Sequence, residues 1–302
     1  MRETEGSAFA VLGNRMALAA LIAMTAVWGV TFVQVKDAVA LYPLFAFLAV
    51  RFAIATVTLA VPGTRRVRSL GRAGVAAGTL LGLLLATGYA LQTAGLERTT
   101  VSGTGFITGM YVVLTPLIAL AFFRSQIAAL TWAGVALSTA GLALLSGVHA
   151  GSAVGDLLVL AGAAVYSLQI VLLERFAPRY DVVAFTLVEM AAACAGLGVV
   201  ALARGELGVP HGWTVWGALV VTGVFASAAG FLVQTWAQRE TSATRTALAF
   251  TMEPVFAALF GITLAGDRLG ALGWMGCAAI MAGVLLAEPA AADALRKVLR
   301  PS

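Results

Sequence analysis

Ten long apolar segments dominate this chain and constrain its fold more than any other feature. Each is close to the length of about 20 residues that one helix needs to cross a bilayer. None shows the sustained apolar–polar alternation of a membrane barrel strand, so all ten are predicted to be helices. The predicted spans are 16–35, 43–61, 74–95, 101–123, 128–147, 154–174, 182–203, 213–236, 244–265 and 270–288.

The composition excludes a soluble fold. Of 302 residues, 61% are hydrophobic and only 11% are charged, whereas a soluble domain carries roughly 25% charged residues. A soluble fold of this length has too little interior to bury so much apolar surface. The net charge of +5 does not indicate a nucleic-acid partner, because the basic residues lie in short runs between apolar segments. We therefore expect an all-α integral membrane protein whose main surroundings are the lipid bilayer.

The basic residues predict the orientation. If the N-terminus is cytoplasmic, fourteen Lys and Arg residues fall on the inner side and four on the outer side. Such a bias in short loops marks the cytoplasmic face. The densest group is Arg65, Arg66, Arg68 and Arg72 in the loop 62–73. The N-terminal segment 1–15 and the C-terminal tail 289–302 are thus both predicted to be cytoplasmic, in a bacterial inner membrane.

The second half of the chain repeats the first. The stretch "GYALQTAGL" at 88–96 returns as "GFLVQTWAQ" at 230–238, and "AVWGVTFV" at 26–33 returns as "AVYSLQIV" at 164–171. Each half holds five spans, and this odd number reverses the direction in which the second half enters the membrane. The sequence predicts two five-helix inverted repeats, an arrangement typical of secondary transporters. Their predicted bounds are 16–147 and 148–288.

Aromatic and polar side chains recur at matching positions of the two repeats. An unpartnered amide in hydrocarbon costs several kcal/mol, so such residues usually face the bundle interior or a wet cavity. Helical spacing places Tyr89 with Gln92, and Phe231 with Gln234, on one helix face. Hydrogen bonding between helices is the alternative role for each of them. The candidate substrate-binding residues are Trp28, Tyr89, Gln92, Tyr111, Tyr166, Gln169, Gln234 and Glu253.

Three ionisable residues, Arg51, Glu189 and Glu253, lie deep inside predicted spans. Each would cost at least about 2.5–3.5 kcal/mol at that depth if ionised, and one cation cannot neutralise two carboxylates. Arg51 and Glu189 occupy matching positions of the repeats. In one interpretation Arg51 binds one carboxylate and the other hydrogen-bonds to helix ends. In a second, Glu253, which precedes Pro254, faces the cavity and receives a substrate ammonium group or a coupling proton.

Small residues and prolines predict where helices pack closely and where they bend. Gly74, Gly78 and Gly82 form a small-residue stripe in the third span, as do Gly105 and Gly109 in the fourth, and such stripes let helices approach closely. The prolines Pro116 and Pro254 interrupt matching spans, where each removes a backbone hydrogen bond and favours a kink. These kinks are either hinges or static bends.

The combined motifs resemble the EamA family of the drug/metabolite transporter superfamily. The resemblance is carried by "AVWGVTF" in the first span, Pro43 followed by Arg51 in the second, "SGTGFITGMYVVLTPL" (102–117) in the fourth and "MEPVFAALFG" (252–261) in the ninth. Within that family the chain resembles aromatic amino-acid exporters of the YddG type. The resemblance implies export of small metabolites, notably amino acids.

Several functions compete with amino-acid export. A sugar-phosphate or nucleotide-sugar exchanger of the same superfamily needs several fixed cations, but only Arg51 lies deep within a span. An intramembrane aspartyl protease would need Gly-x-Gly-Asp, which is absent from the sequence. A channel is a further alternative, although proline-broken inverted repeats favour alternating access. The histidines have no metal-ligand spacing and there is no phosphate-binding loop, so neither a metal nor a cofactor is expected, and no ATP-driven step.

Overall fold

The computed structural model describes residues 2–146, 152–265 and 268–287, and all regular structure within these ranges is helical. The predicted tail 289–302 lies outside the described residues. The α-helices are α1 (Arg2–Val39), α2 (Leu44–Gly63), α3 (Gly71–Leu96), α4 (Val101–Gly109), α5 (Tyr111–Phe123), α6 (Ala129–Ser146), α7 (Ala153–Phe176), α8 (Val182–Ala203), α9 (Trp213–Val220), α10 (Gly230–Ala237), α11 (Ala243–Phe250), α12 (Met252–Ala265) and α13 (Ala271–Leu286). Two short 3-10 segments, Thr64–Leu70 and Ala177–Arg179, and a π-helix, Val221–Ala229, complete the chain order.

Six helical stretches of the described chain are long and apolar enough to cross a membrane. They are Arg15–Val39, Leu44–Leu96, Gly103–Phe123, Ala153–Arg179, Val182–Ala203 and Trp213–Ala237, with two shorter apolar helices at Ala129–Leu145 and Ala271–Leu286. The stretch Leu44–Leu96 contains both α2 and α3, which separate at Gly71, where φ is 62° and only glycine is relaxed. The chain is therefore an all-helical integral membrane protein, as the apolar segments predict.

Three predicted spans are not single α-helices. The fourth is interrupted at Met110 and the ninth at Thr251, six and three residues before the two prolines. Both interrupting residues keep helical φ values of −61° and −63°, with ψ near zero at −13° and −10°. These breaks are tightened turns of the 3-10 type rather than unwound segments. In the predicted eighth span, the π-helix Val221–Ala229 joins α9 to α10.

Helices from the two halves of the chain pack in a reciprocal pattern. α6 packs on α13, and α2 packs on α8. The contact of α3 with α7 is matched by that of α1 with α9 and α10, and the contact of α5 with α7 by that of α1 with α12. The contact of α3 with α8 is matched by that of α2 with the π-helix. Exchanging the two halves of the chain thus reproduces these main helix pairs.

Four glycines bring α6 and α13 together. A Cβ atom built on Gly134 would lie 2.6 Å from the carbonyl oxygen of Gly283, and one built on Gly141 would lie 2.7 Å from that of Gly276. Cβ atoms built on Gly283 and Gly276 would likewise lie 2.6 Å from the carbonyl oxygens of Gly134 and Gly141. Because the earlier residue of α6 meets the later residue of α13, the two helices are antiparallel. Only glycine allows backbones to approach this closely.

The small-residue stripe of α3 packs onto α8. A Cβ atom at Gly74 would meet the ring of Tyr180, just before α8, and one at Gly78 would meet Val188. Gly82 faces the backbone of α8. In α4, Gly109 packs against Leu142, but no described residue lies within 4 Å of such an atom at Gly105. Close packing at Gly105 is therefore a wrong prediction, because that side of α4 meets open space.

Candidate functional site

One cavity lies between the two halves of the chain and gathers every candidate substrate-binding residue. It encloses roughly 770 Å³ of empty space, including the part open to solvent. Arg51 also lines it, whereas Glu189 is not among the lining residues. The predicted residues in its wall are Trp28, Tyr89, Gln92, Tyr111, Tyr166, Gln169, Gln234 and Glu253.

Aromatic rings form a continuous part of the cavity wall. Successive ring centroids lie 6.1 Å apart for Tyr111 and Phe250, 4.9 Å for Phe250 and Trp28, and 6.0 Å for Trp28 and Phe231. Tyr89 then continues the series, 6.3 Å from Phe231 and 5.5 Å from Tyr166. Most of these pairs meet edge to face, the arrangement that ring quadrupoles favour. The wall therefore presents a large apolar surface with a few polar edges.

The glycine that opens each repeated stretch makes room for an aromatic ring of the other half. A Cβ atom on Gly88 would lie 2.5 Å from Cε1 of Tyr166, and one on Gly230 would lie 3.0 Å from Nε1 of Trp28. Trp28 and Tyr166 are themselves repeat equivalents. The indole Nε1 of Trp28 donates to the carbonyl oxygen of Ala226 at 2.8 Å. The repeated glycines thus set the positions of two rings that line the cavity.

The two repeated glutamines have different partners. Gln92 donates from Nε2 to Oγ1 of Thr108 at 3.0 Å, and its Oε1 accepts from the Tyr166 hydroxyl at 3.1 Å. Gln234 donates from Nε2 to Oε1 of Gln169 at 3.2 Å and to Oε1 of Gln238 at 3.0 Å. Each amide therefore links helices and also borders the cavity, so the predicted roles in packing and in lining coexist.

Arg51 is held in the cavity wall by neutral groups. It is only 3% exposed, and its Nε donates to Oγ of Ser227 at 2.8 Å while Nη2 donates to the Tyr89 hydroxyl at 3.2 Å. Its guanidinium carbon lies 4.6 Å from the centre of the Tyr89 ring, within cation–π distance. The ion pairs of the described chain are Arg66–Asp181 and Arg204–Glu206, so no carboxylate lies within 4.0 Å of Arg51. The interpretation that Arg51 binds one of the buried carboxylates is wrong.

Glu253 lies in the same cavity wall at the start of a helix. It is in the first turn of α12, directly after the break at Thr251, where the helix dipole favours a negative charge. Pro254 follows it and occupies the first turn as well, where the missing N–H is not needed. Glu253 and Arg51 are near enough to interact electrostatically, but within the described residues neither is ion-paired.

Glu189 is completely buried and outside the cavity lining. Its Oε1 accepts from Nε2 of Gln169 at 2.8 Å, and its Oε2 has no hydrogen-bond partner among the described residues. The three intramembrane charges therefore fall into two groups. Arg51 and Glu253 border the cavity, and Glu189 stands behind Gln169. In the ranges described, no group of three or more His, Cys, Asp and Glu side chains could hold a metal ion.

Comparison with known proteins decides the family. The sequence profile of the EamA-like transporter family matches twice, over residues 15–147 and 153–287. The chain belongs to this family. The resemblance of the sequence motifs to the EamA family is thereby confirmed.

Relatives of this EamA-like transporter are themselves named as transporters. A protein of Archaeoglobus fulgidus named as an uncharacterized transporter is 30% identical over 270 residues, covering 88% of this chain and 83% of the relative. The Escherichia coli K12 protein YedA, named as an uncharacterized inner membrane transporter, is 27% identical over 287 residues, covering 88% and 89%. A solved crystal structure superposes with a TM-score of 0.76 at 18% identity, covering 95% of this chain and 99% of that one, and so supports the fold alone.

Three features of this EamA-like transporter were missed by sequence reasoning. Phe250 completes the aromatic wall, Ser227 binds Arg51, and the π-helix Val221–Ala229 supplies both Ser227 and the carbonyl oxygen that Trp28 binds. π-helical segments are frequently found at functional sites. The sequence signal that could have identified Ser227 is weak. Ser227 is a single hydroxyl in the small-residue run "ASAAG" (226–230), three residues before the repeated glycine.

Proposed function

We propose that this protein is a secondary transporter that exports amino acids, above all aromatic and other apolar ones, by alternating access. One observation carries the proposal: Arg51 and Glu253 line the same cavity, opposite in charge but not ion-paired to each other. A free amino acid carries one carboxylate and one ammonium group. Its carboxylate would bind Arg51 while its ammonium group binds Glu253, and its side chain would replace water against the aromatic wall.

The contacts of Arg51 leave a place for the substrate carboxylate. Its Nε and Nη2 are bound to Ser227 and Tyr89, but Nη1 makes no hydrogen bond within the described chain. Charge-assisted hydrogen bonds are about twice as strong as neutral ones, so the carboxylate would bind here in preference to an uncharged group. Glu253 would accept the ammonium group. A phosphate ester would need more cations than this cavity offers, which argues against the sugar-phosphate alternative.

The membrane arrangement that we propose has ten spans in two inverted repeats, residues 16–147 and 148–288, with both termini in the cytoplasm of a bacterial cell. The antiparallel crossing of α6 and α13 through reciprocal glycines supports the inversion. The excess of basic residues in loops such as 62–73 supports the orientation. In inverted-repeat transporters the substrate site lies at the repeat interface, where this cavity is found.

The helix breaks provide a place for the conformational change. The break at Met110 directly precedes Tyr111, and the break at Thr251 lies between Phe250 and Glu253, all three of which border the cavity. We assign the hinge role to these tightened turns together with Pro116 and Pro254. A small change of φ and ψ at the breaks would tilt α5 and α12 and open the cavity toward one side or the other.

Transport by the purified protein in liposomes tests this function. Vesicles loaded with one unlabelled compound and exposed to the same compound in labelled form report exchange without any imposed gradient. The panel comprises phenylalanine, leucine, glucose 6-phosphate and a nucleotide sugar, with protein-free vesicles as the control. Saturable exchange of phenylalanine and leucine, with none of the phosphates, is expected. Exchange of the phosphates without that of either amino acid would show that the substrate class is wrong.

A further inference from the structure

Glu189 is a buried carboxyl group that the substrate site described above does not use. It is 0% exposed in the middle of α8, and in the part of the chain that the structure describes one of its two oxygens has no hydrogen-bond partner. Buried polar atoms without partners are rare in native proteins, and an unpaired ionised carboxylate at this depth is costly. We propose that Glu189 binds the proton that couples transport to the pH gradient across the membrane. This inference rests on the proposed transport function.

No cation neutralises Glu189. Several charged or titratable groups lie on α7, which bears Gln169, and on the helices packed against α8. Within the described chain, however, no Lys or Arg nitrogen lies within 4.0 Å of the Glu189 carboxylate. Arg51 is bound to Ser227 and Tyr89, and Arg66 is bound to Asp181. The groups on these elements are Arg51, Arg65, Arg66, Arg68, Arg72, Tyr89, Asp156, Tyr166, Glu174 and Arg175. Removal of the negative charge must therefore come from a proton or another small cation.

The donor arrangement favours a proton over a metal ion. Gln169 presents its Nε2–H group to Oε1 of Glu189, and a hydrogen-bond donor at this position would repel a metal cation. A sodium-like site would also need several oxygen ligands, as hard cations generally do. A proton needs only the free oxygen. If it binds at Oε2, the carboxylate becomes a neutral carboxylic acid and the bond from Gln169 to Oε1 is kept.

Gln169 connects Glu189 to the cavity. It borders the cavity, donates to Glu189 and accepts from Gln234, which borders the cavity too. Gln234 and Gln238 then continue the chain of amides to the carbonyl oxygen of Ile170. The bond from Gln169 is charge-assisted while Glu189 is ionised and weaker once it is neutral. Protonation would therefore loosen two amides in the cavity wall without touching Arg51 or Glu253.

Infrared difference spectroscopy tests proton binding without any substrate. The purified protein in liposomes is titrated with acid, and the carbonyl band of a protonated carboxylic acid is followed. The wild-type protein and Glu253→Gln are expected to show a band that Glu189→Gln lacks. The other Asp and Glu residues, of a total of 14, also give such bands at low pH, so the test is the difference between the wild-type protein and Glu189→Gln. Identical bands in these two proteins at every pH would overturn the assignment. If Glu189→Gln does not fold, Glu189→Asp takes its place, and the pH at which the band appears should shift; an unchanged band would also overturn it.

Transport assays distinguish a failure of this inference from a failure of the proposed function. Glu189→Gln should keep exchange of labelled for unlabelled phenylalanine but lose accumulation driven by a pH gradient. Thr186→Val is the matched control, because Thr186 lies one turn away on α8 and bonds to Thr235 without carrying charge. It should keep both activities. Gradient-driven accumulation by Glu189→Gln at the wild-type level would refute the coupling role. If the wild-type protein exchanged no amino acid, the proposed function would fail while the infrared titration would still decide proton binding.

Discussion

Arg51 and Glu189 occupy equivalent positions of the two repeats, yet only Arg51 reaches the cavity. Arg51 lies against Tyr89 and Ser227, and Glu189 lies behind the amide of Gln169. The repeated backbone therefore carries different chemistry in its two halves. The same holds for Glu253, whose equivalent, Thr115, has a buried hydroxyl without a hydrogen-bond partner within the described ranges. In the function proposed above, this asymmetry would let the repeated scaffold bind a molecule with two unlike ends.

Replacing side chains of the first repeat that face the cavity should weaken transport. Gln92→Ala deletes the bonds to Thr108 and Tyr166, and a neutral hydrogen bond contributes about 1 kcal/mol, or roughly fivefold in affinity. Tyr111→Ala removes a ring from the aromatic wall. Both variants should raise the apparent KM for phenylalanine in liposomes. Thr87→Ala is the control, because Thr87 is exposed on α3 and bonds only to its own helix. Normal transport by both cavity variants would mean that these residues serve packing alone.

The glycine beneath Tyr166 should be needed for the shape of the cavity. Gly88→Ala places a methyl group where the ring now lies, so the ring must move and its bond to Gln92 is strained. We expect the apparent KM for phenylalanine to rise about tenfold, equivalent to about 1.4 kcal/mol. Gly198→Ala offers a comparison on α8, because nothing lies within 4 Å of the added atom. Equal KM values for the two variants would contradict this role of Gly88.

The antiparallel contact of α6 with α13 should contribute to stability rather than to specificity. Gly141→Val forces the helices apart, since its Cβ atom would lie 2.7 Å from the carbonyl oxygen of Gly276. Overpacking of this kind costs about 1–3 kcal/mol. A lower Tm in detergent is expected, with unchanged preference among substrates. Gly217→Val adds the same side chain to α9 with nothing within 4 Å, and it should lower Tm less. A larger effect at Gly217 would argue against the tight crossing.

The orientation can be read from the accessibility of single cysteines. In a variant with Cys194 and Cys277 replaced by alanine, Arg68→Cys should resist an impermeant thiol reagent in intact cells and react after the cells are opened. Leu207→Cys, in the loop after α8, should react in intact cells. Both positions are exposed, so burial does not explain a difference. The reverse pattern of labelling would place loop 62–73 outside the cell.

The sequence predicted the helical class and the family because both depend on patterns that persist along the chain. The cavity wall could be predicted from Trp28, Tyr89 and Gln92 because the repeat and the helical period together place such residues on one interior face. The partners of Arg51 could not be predicted from the sequence. They depend on how α2 meets the π-helix, and nothing in "VTGVFASAA" distinguishes a π-helix from an α-helix of small residues.

The position of the helix breaks also escaped sequence reasoning. A proline marks where a helix must adjust, since its ring clashes with the carbonyl group four residues earlier. The helices are in fact interrupted at Met110 and Thr251, six and three residues before the prolines, and the sequence does not mark either position. Glu253 therefore lies in the first turn of α12 rather than within a continuous helix.

The central claim is that Arg51 and Glu253 together bind the two charged ends of an apolar amino acid, and competition by analogues tests it most directly. Exchange of labelled phenylalanine in liposomes is measured against unlabelled phenylalanine, phenethylamine, which lacks the carboxylate, and 3-phenylpropionate, which lacks the ammonium group. Hydrogen bonds to charged groups contribute about 1.5–3 kcal/mol, so each analogue should compete at least about tenfold more weakly than phenylalanine. Glu253→Gln should lose its discrimination against 3-phenylpropionate while still rejecting phenethylamine. Competition by both analogues as strong as that of phenylalanine, with Glu253→Gln unchanged in affinity, rate and pH dependence, would contradict the account.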